Sequence, residues 1–421
     1  MDVEAYGPTA LRWLFLDFNS YFASVEQQEY PALRGRPVVV APAESEATSA
    51  IAASAEAKRF GVRTGTRIYE ARRLCPGLVV RPADHALYVR YHHRLKAEIE
   101  RHIPITQVCS VDEVACALMG GERVEARALT LARDIKAGIR ANVGEMLRSS
   151  IGLAPSKLLA KTASDMEKPD GLTVLAPGSL PGRLLDLRLG DISGIGSNME
   201  RRLQAAGIHT LAALWDLPAK QMRQIWGGVT GERFWYALHG YDLPEAAAGP
   251  MRSISHGHVM APAQRGAADA RAMARHLMVR AAGRLRSHGL EAGALGLWLR
   301  TEQGEALGQG LRLPRTGNSL LLLRGLDELW ARVEGELSGR RIKKLDVTLS
   351  DFASAGTTPR DLFDWATQQN APKKDGALFA AIDRLNAQFG KDTVRLGAVP
   401  DAHQAVVGTK IAFAHIPEIE G

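Results

Sequence analysis

Continuous apolar runs alternate with helical apolar stripes along the first 180 residues. Residues 11–18, LRWLFLDF, are almost all apolar, which predicts a buried strand that delivers Asp17 to a sheet edge. A helix follows at once, because Tyr21, Phe22 and Val25 recur at helical spacing. The same patterns predict strands at residues 37–42, 78–80 and 107–118 and helices at residues 54–61, 66–77, 88–105 and 124–143. This order of elements, with antiparallel strands, predicts an α+β sheet domain.

The remaining chain is predicted to hold a small helical unit, a second α+β module and a tail. A stretch rich in Pro and Gly near residue 180 marks the first boundary, and residues 245–250, EAAAGP, are predicted to be a linker. From residue 355 the chain continues as a polar loop, an amphipathic helix at residues 377–389 and a weakly patterned end. The module between linker and tail is predicted to have helices at residues 267–288 and 320–337 and strands at residues 294–300, 311–313 and 342–352.

Length and composition exclude several classes of protein. A chain of 421 residues is too long for one ordinary core, so two to four domains are expected. With 46% hydrophobic and 24% charged residues, it is not a mainly disordered protein. We find neither an apolar stretch long enough for a membrane span nor a signal-peptide pattern, and therefore expect a cytoplasmic protein with no membrane partner. Three cysteines without CxxC spacing exclude a disulfide framework and a cysteine zinc site.

Positive charge is concentrated in one block of the chain. Lys and Arg exceed Asp and Glu by 53 to 46, and residues 251–350 alone hold 16 basic against 9 acidic residues, which accounts for the whole net charge of +7. A face that follows nucleic-acid phosphates has this composition. A basic surface that only keeps the protein soluble has it too, and the sequence favours neither.

Three acids lie in apolar, strand-like surroundings, and they are Asp17, Asp112 and Glu113. A buried acid is costly unless it is paired or bound to a cation, and carboxylates are hard ligands that suit Mg²⁺. Neighbours on a regular strand face opposite sides, so Asp112 and Glu113 reach one site only if the chain turns or bulges there. Such a cluster serves phosphoryl or nucleotidyl transfer. Spacing alone, however, favours the alternative that one acid faces solvent or forms an ion pair.

Two further segments contain residues that favour phosphate. Lys157 and Lys161 lie one turn apart near a predicted helix start, although a solvated basic face gives the same pattern. Gly194, Ile195 and Gly196 precede a predicted helix and a second glycine turn, as in a helix-hairpin-helix. The glycine turn of that motif lets backbone N–H groups approach a DNA phosphate.

His256 and His258 share one face of a predicted strand, a spacing that suits a metal. The sequence nearby holds no third ligand. An exposed or core pair of histidines is therefore the favoured interpretation.

Together these segments resemble the Y-family DNA polymerases, the low-fidelity translesion enzymes, over nearly the whole chain. DFNSYFASVEQ is similar to the first catalytic motif of that family and CSVDEVACAL to the second; SIGLAPSKLLAKTASDMEKPDG resembles its palm signature and SGIGSNMERRLQAAGI its thumb. Within the family the chain most resembles the UmuC-type catalytic subunit of bacterial DNA polymerase V. That finer resemblance depends on Asn19, on Ala55 and Lys58 in the predicted fingers, and on the tail.

The resemblance implies an α+β multidomain fold in the shape of a right hand, in a bacterial cytoplasmic enzyme. Its parts would be a palm at residues 1–35 and 79–180, small fingers at 36–78, a helix-hairpin-helix thumb at 181–243, a linker at 244–252, a little finger at 253–354 and a C-terminal tail at 355–421. The basic block would then lie almost entirely in the little finger.

The resemblance also assigns roles to single residues. Asp17, Asp112 and Glu113 would bind two Mg²⁺ ions, with the carbonyl of Phe18 as a further ligand. Phe22 would be the steric gate, an aromatic ring packed where a ribose 2′-hydroxyl would lie.

Further roles concern the incoming dNTP and the DNA. Lys58 and Lys157 would contact the triphosphate, and Gly194, Ile195 and Gly196 would contact the DNA backbone. The implied partners are primer-template DNA and dNTPs, with a UmuD-type accessory subunit and a recombinase filament as further candidates.

A sliding clamp is another implied partner. PRDLF, residues 359–363, lies where relatives have a Gln-Leu-x-Leu-Phe clamp-binding motif, and it lacks the Gln and the first Leu. Leu362 and Phe363 remain as candidates for filling an apolar clamp pocket.

The resemblance predicts a template-directed DNA polymerase that performs translesion synthesis in the response to DNA damage. One alternative is a catalytically inactive relative that binds DNA and recruits other polymerases, but such a protein has no reason to bury three acids. A palm-fold nucleotide cyclase is a second alternative, which the helix-hairpin-helix and the basic block disfavour.

Overall fold

The structure of this chain is a computed structural model in which two units are distinguished. Unit 1 holds the described residues up to 244, and unit 2 holds those from 249 onward. The described residues are 4–43, 45–46, 48–244, 249–355, 371–390 and 393–394. The predicted linker at 245–250 lies mostly outside them.

Unit 1 is built on a five-stranded sheet with the order β5-β6-β1-β7-β8, in which β1 is central and antiparallel to both neighbours. A smaller sheet has the order β3-β2-β4. The strands of unit 1 are β1 Trp13–Phe18, β2 Val38–Ala41, β3 Ala52–Ala53, β4 Val79–Pro82, β5 Gln107–Val108, β6 Glu113–Ala117, β7 Ser149–Ala154 and β8 Leu172–Val174.

Helices cover both faces of the five-stranded sheet. The helices of unit 1 are α1 Tyr21–Glu29, α2 Ala55–Arg59, α3 Ile68–Leu74, α4 His85–Glu100, α5 Glu125–Asn142, α6 Lys157–Met166, α7 Ser197–Ala205, α8 Leu211–Trp215, α9 Ala219–Trp226 and α10 Val229–Leu238. Of these, α2 and α3 pack on the smaller sheet. Leu14 and Leu16 of β1 belong to a core shared with α4 and α5. Phe15 belongs to a second core, shared with α6 and the helices that follow it. This alternation is the period of two expected of a strand buried on both sides.

Helix α6 approaches the sheet closely because Gly152 of β7 has no side chain. A Cβ atom at Gly152 would lie 2.0 Å from the carbonyl oxygen of Ala160 and 2.5 Å from the amide nitrogen of Ser164. Backbone atoms cannot move aside as a flexible side chain can, so any larger residue would push the helix away. The close approach fixes the height of α6 above β1 and β7.

The structure corrects two predicted boundaries. Helix α4 begins at His85 rather than at residue 88, because the Asp84 carboxylate accepts a hydrogen bond from the amide of Leu87 at 3.0 Å and caps the helix. It also ends at Glu100, five residues early. The single strand predicted at residues 107–118 is two strands, β5 and β6, separated by a bend. The predicted α+β class itself is confirmed.

Unit 2 is a four-stranded antiparallel sheet with the order β11-β10-β12-β9. One face packs on two long helices through a core that includes Leu297, Trp330 and Val347. Its elements are β9 Ser253–Val259, α11 Ala267–Ser287, β10 Leu290–Thr301, β11 Ala306–Thr316, α12 Ser319–Leu337, β12 Ile342–Ser354 and α13 Ala371–Phe389. The strand predicted at His256 and His258 is β9 of this sheet, and the pattern had shortened β11.

Cys75 and Cys116 are buried, Cys109 is half-buried, and no disulfide joins them. Across the described residues, we find no helix with the length and apolar content that crossing a bilayer requires.

Candidate active site

Two of the predicted acids lie side by side on adjacent strands. Asp17 of β1 is directly paired with Glu113 of β6, and with Ser150 of β7 on its other side. Residues paired across a sheet point to the same face. The carboxylates of Asp17 and Glu113 therefore both face α6.

An ammonium group joins these two carboxylates. Nζ of Lys161 lies 2.6 Å from Oδ2 of Asp17 and 2.6 Å from Oε1 of Glu113. The side chain of Asp17 is only 8% exposed and that of Lys161 only 18%. Burial alone lowers the pKa of Lys161, but the charge of Asp17 and the hydrogen bonds to both acids outweigh it, so that the pKa is raised. Lys161 is thus a fixed cation between the two acids.

The third acid reaches the same strand end through a bend in the chain. Residues 110–112 turn between β5 and β6, and the amides of Cys109 and Ser110 both donate to the carbonyl of Glu113. The amide of Phe18 donates to the backbone carbonyl of Asp112 at 2.9 Å, which fixes this bend beside Asp17. The turn that Asp112 and Glu113 needed to reach one site is present.

Burial makes Asp112 and Glu113 harder to ionise. It raises the pKa of Asp112; the hydrogen bond from Ser110, at 2.5 Å, opposes that shift, and the negative charge of Asp17 adds to it. Burial also raises the pKa of Glu113, although Lys161 opposes that shift. Clustered carboxylates that resist ionisation call for a cation partner.

The donor set fits a divalent cation. Among the side chains that the structure describes, no three His, Cys, Asp or Glu groups are arranged to hold a metal ion, and the charge between Asp17 and Glu113 is balanced by Lys161. One oxygen of Asp17 and one of Glu113 nevertheless meet at Nζ of Lys161, and the main-chain bond from Phe18 holds Asp112 next to Asp17. Oxygen ligands of this kind suit Mg²⁺.

Two more lysines surround Asp17. Nζ of Lys168 lies 2.7 Å from Oδ2 of Asp17 and 2.7 Å from Asp165. Lys58, from α2, donates to the Ser20 hydroxyl at 2.7 Å. Burial, followed by repulsion from Lys168, lowers the pKa of Lys58, which means that the two ammonium groups act on each other. The result is a concentration of positive charge beside the acids.

Asn19 anchors the loop that carries Lys168 and Asp170. Its Oδ1 accepts from the amide of Asp170 at 2.7 Å, and its Nδ2 donates to the Ser150 hydroxyl at 3.1 Å. The loop that carries Lys168 is thereby attached to β1 and β7. Asn19, which the sequence offered only as a subfamily marker, has a local structural role.

Lys157 does not lie beside the acids. Its Nζ contacts Oε1 of Gln107 at 2.5 Å and lies 5.8 Å from the ring centre of Trp13. Trp13 and Asp17 are at opposite ends of β1, about 13 Å apart at 3.3 Å per residue. Lys157 therefore lies away from the acids, whereas Lys161, one turn later on α6, contacts them.

Phe22 lies on the first turn of α1, directly after β1. Its half-buried ring stacks on Tyr88 of α4, with ring centres 4.4 Å apart and planes 21° apart. Tyr21, next to it, is close enough to Asp112 for that acid to add to the rise that burial causes in the tyrosine pKa. Tyr21 thus lies near the acids, and the role of the Phe22 ring as the gate stays a prediction.

The glycine turn lies elsewhere in unit 1. Gly194 has φ of +91°, Ile195 is buried in the second core, and Gly196 caps α7. A second turn at Gly207, with φ of +83°, separates α7 from α8. The expected order of glycine turn, helix and second glycine turn is therefore present, and the helix-hairpin-helix and its contact with DNA stay predictions.

The remaining candidates give no site. His256 lies on β9, where burial and nearby arginines of α11 lower its pKa to about 4, so that the ring is neutral. His256 and His258 belong to no metal-binding group in the described part of the chain. Leu362 and Phe363 lie outside the described residues.

Sequence reasoning missed Lys168 and assigned Lys161 no partner. Both lie within motifs that had been noticed, but only the packing of α6 and of the loop after it against the sheet shows which acid each lysine meets. No local pattern reports a pairing between residues more than 140 positions apart.

Asp112→Asn is expected to raise the temperature of unfolding at pH 7 in EDTA by a few degrees. Folding raises the pKa of Asp112, so the folded protein binds the proton of this acid more tightly than the unfolded chain does. The free energy of unfolding therefore falls as the pH rises from the unfolded pKa through the folded pKa, and at pH 7 the ionised acid destabilises the fold. Asparagine removes that cost. At about pH 3, below the unfolded pKa, the difference should vanish.

Differential scanning calorimetry at both pH values measures this effect. Asp134→Asn, at an exposed acid of α5, is the matched control and should change neither temperature. An Asp112→Asn protein that unfolds earlier than the wild type at pH 7 would contradict the raised pKa.

Comparison with known proteins gives concordant matches. The model of the impB/mucB/samB family matches residues 16–165, and the model of the C-terminal domain of that family matches residues 251–362. A DNA polymerase IV of Moorella thermoacetica is 33% identical over 391 residues, which cover 90% of this chain and 94% of the relative. DNA polymerase IV 1 of Bacillus subtilis is 27% identical over 393 residues, which cover 91% of this chain and 92% of the relative.

Solved structures share the fold. A Y-family DNA polymerase chimera of Dbh and Dpo4 superposes with a TM-score of 0.66 at 23% identity, covering 81% of this chain and 98% of the other. An insertion ternary complex of Dbh DNA polymerase gives a TM-score of 0.51 at 23% identity, and the match covers 80% of this chain and 98% of the other.

Proposed function

This chain belongs to the impB/mucB/samB family, the Y-family DNA polymerases, and we propose that Asp17, Asp112 and Glu113 form its catalytic centre. Membership makes the chain a template-directed DNA polymerase of translesion synthesis. The observation that carries the site is that the Asp17 and Glu113 carboxylates meet at one point, where Nζ of Lys161 lies 2.6 Å from each. The family match and the relatives named DNA polymerase IV disfavour an inactive recruiting protein and a cyclase.

Enzymes of this family depend on divalent metal ions. We propose two Mg²⁺ ions, held by Asp17, Asp112 and Glu113 with the carbonyl of Phe18. Bound there, they supply positive charge that stabilises the triphosphate and lowers the pKa of the primer 3′-hydroxyl. The raised pKa values of Asp112 and Glu113 are a reason for these acids to take up cations in place of protons.

The cationic side chains around Asp17 are suited to the triphosphate of the dNTP. Lys168 forms an ion pair with Asp17, and Lys58 is close enough to both residues for their charges to act on its pKa. Lys157, in contrast, is bound to Gln107. We therefore assign the triphosphate to Lys58 and Lys168 and withdraw Lys157 from that role. Lys161, which holds two acids at once, keeps the carboxylates together. Phe22 would limit the space at the sugar.

Unit 2 offers a surface suited to the DNA backbone. Its open sheet face, which we call the glycine face, has a floor of small residues, with Gly296, Gly308 and Gly310 on the two strands β10 and β11. Trp298 is 56% exposed, and its ring lies against Gly308. The ring fits there because Gly308 has no side chain: a Cβ atom at that position would lie only 2.1 Å from it. The floor at Gly310 is not covered by that ring and permits close approach of another backbone, and the exposed indole can pack on it.

Basic side chains border the glycine face. Arg300 and Lys344 are paired across β10 and β12, and Arg312 lies on β11. All three are exposed. Cations around an open, flat surface are suited to phosphates. We therefore propose that the glycine face contacts the DNA backbone without reading sequence.

Arg300→Ala combined with Arg312→Ala is expected to weaken binding of primed DNA and to reduce the slope of log Kd against log salt by about 2, since each phosphate contact contributes about 1. Fluorescence anisotropy at several salt concentrations measures both quantities. Arg332→Ala, at a residue paired with Glu328 on α12, is the control and should leave the slope unchanged. Equal slopes for all proteins would contradict the proposed surface.

The branch within the family is a separate proposal. The relatives described above are DNA polymerases IV, whereas Asn19, Ala55 and Lys58 resemble the UmuC type. The UmuC type implies a UmuD-type subunit and a recombinase filament, and Leu362 and Phe363 imply a clamp. If that resemblance holds, extension by the chain alone is weak and rises with the UmuD-type subunit and the recombinase filament. Extension that the partners leave unchanged would assign the chain to the polymerase IV type.

A further inference from the structure

A buried carboxylate with no place in the chemistry lies one turn after Phe22 on α1. The side chain of Glu26 is only 1% exposed, and both of its oxygens are bonded. Oε1 accepts from the Tyr88 hydroxyl at 2.8 Å and Oε2 from Nε of Arg81 at 2.9 Å. Apolar residues of similar size are commonly as stable as a buried ion pair, so stability alone does not account for Glu26.

The partner of Glu26 is also the partner of Phe22. Tyr88 is fully buried, stacks on the Phe22 ring and donates its hydroxyl to Glu26. Residues four apart on a helix lie on one face, so Tyr88 spans one turn of α1, with its ring at Phe22 and its hydroxyl at Glu26.

Tyr88 is fixed from other directions as well. Its backbone carbonyl accepts from the Tyr21 hydroxyl at 2.7 Å, and the His85 ring meets it edge-on at 6.2 Å. Arg81, which holds the other oxygen of Glu26, lies over the Tyr30 ring at 4.5 Å. Burial and the charge of Glu26 raise the pKa of Tyr88, so the hydroxyl remains a donor. Fully satisfied buried networks of this kind are rigid.

We propose that Glu26, through Tyr88, is a positioning residue for sugar selection. A ring excludes a 2′-hydroxyl only if it cannot retreat, and Tyr88 is the wall against which Phe22 rests. Anchoring the Tyr88 hydroxyl to Glu26 keeps that wall in place. This inference rests on the proposed role of Phe22 as the gate.

The structure provides a matched control one turn further along both helices. The Tyr91 hydroxyl donates to Oε2 of Glu29 at 2.9 Å, and Glu29 pairs with Arg90. The Tyr91 pair thus repeats the tyrosine-carboxylate contact between α4 and α1, while the ring stacked on Phe22 is that of Tyr88.

The test compares Tyr88→Phe, Glu26→Gln and Tyr91→Phe by the ratio of kcat/KM for dNTP to that for rNTP. Tyr88→Phe keeps the ring and removes only the hydroxyl, and is expected to lower the ratio about tenfold, mainly through a lower KM for the ribonucleotide. Glu26→Gln, which retains an acceptor for the hydroxyl, should lower it less. Tyr91→Phe should leave the ratio at the wild-type value, although it loses an equivalent hydrogen bond.

Combination with Phe22→Ala separates the two proposals. If Phe22 is the gate and Tyr88 its wall, Tyr88→Phe adds nothing once Phe22 is alanine. A Phe22→Ala enzyme with wild-type sugar selectivity overturns the gate and this inference together. Relaxed selectivity in Phe22→Ala, but wild-type selectivity in Tyr88→Phe and Glu26→Gln, overturns this inference alone. So does an equal loss of selectivity in Tyr91→Phe.

Discussion

Replacing Asp112 by alanine is expected to lower the rate of primer extension by about 10³-fold. Each factor of ten corresponds to about 1.4 kcal/mol, and removing one ligand of the catalytic cations forfeits several kcal/mol of charge stabilisation. The substitution removes the carboxylate that the Ser110 hydroxyl orients, while the backbone carbonyl that anchors the bend to Phe18 stays. The fold should therefore survive and the activity should not.

Single-turnover extension of a primed template measures this loss. Asp134→Ala removes an exposed acid of α5 and should extend at the wild-type rate. Thermal unfolding of both variants excludes general loss of structure as the cause. Undiminished synthesis by Asp112→Ala would remove this acid from the catalytic centre.

Replacing Phe22 by alanine is expected to raise incorporation of ribonucleotides relative to deoxyribonucleotides by about 10²-fold. Forcing an extra group into a packed site costs about 1–3 kcal/mol, and removal of the ring relieves that cost for the ribose hydroxyl. Because the ring is stacked on Tyr88 at 4.4 Å, it cannot yield without displacing a buried neighbour.

Competition between matched dNTP and rNTP on a primed template measures the selectivity. Phe389→Ala removes an exposed ring of α13 and should leave the ratio unchanged. Unaltered sugar selectivity in Phe22→Ala would mean that another group excludes the ribose.

The sequence predicted the strand ends that carry the acids better than it predicted their partners. Asp17 and Glu113 were recognisable because each lies in an apolar run, whereas the bend at residues 110–112 was stated only as the condition for Asp112 and Glu113 to reach one site. Strand periodicity is local, so these features can be read from neighbouring residues.

The lysines could not be assigned in this way. Lys157 and Lys161 share one helix face and one local pattern, and the position of α6 above Gly152 decides which of them meets Asp17. The role of Glu26 was equally hidden, because its partners come from α4 and β4, more than 50 positions along the chain. Such contacts are set by tertiary packing, which a single sequence does not encode locally.

The measurement that tests the acidic centre most directly is extension of a primed template by the unaltered chain during a titration with Mg²⁺. The geometry of Asp17, Asp112 and Glu113 predicts no extension in EDTA, and templated addition of dNTPs that rises with Mg²⁺ until it saturates. Templated extension that persists in EDTA, or none with any divalent cation, would contradict it.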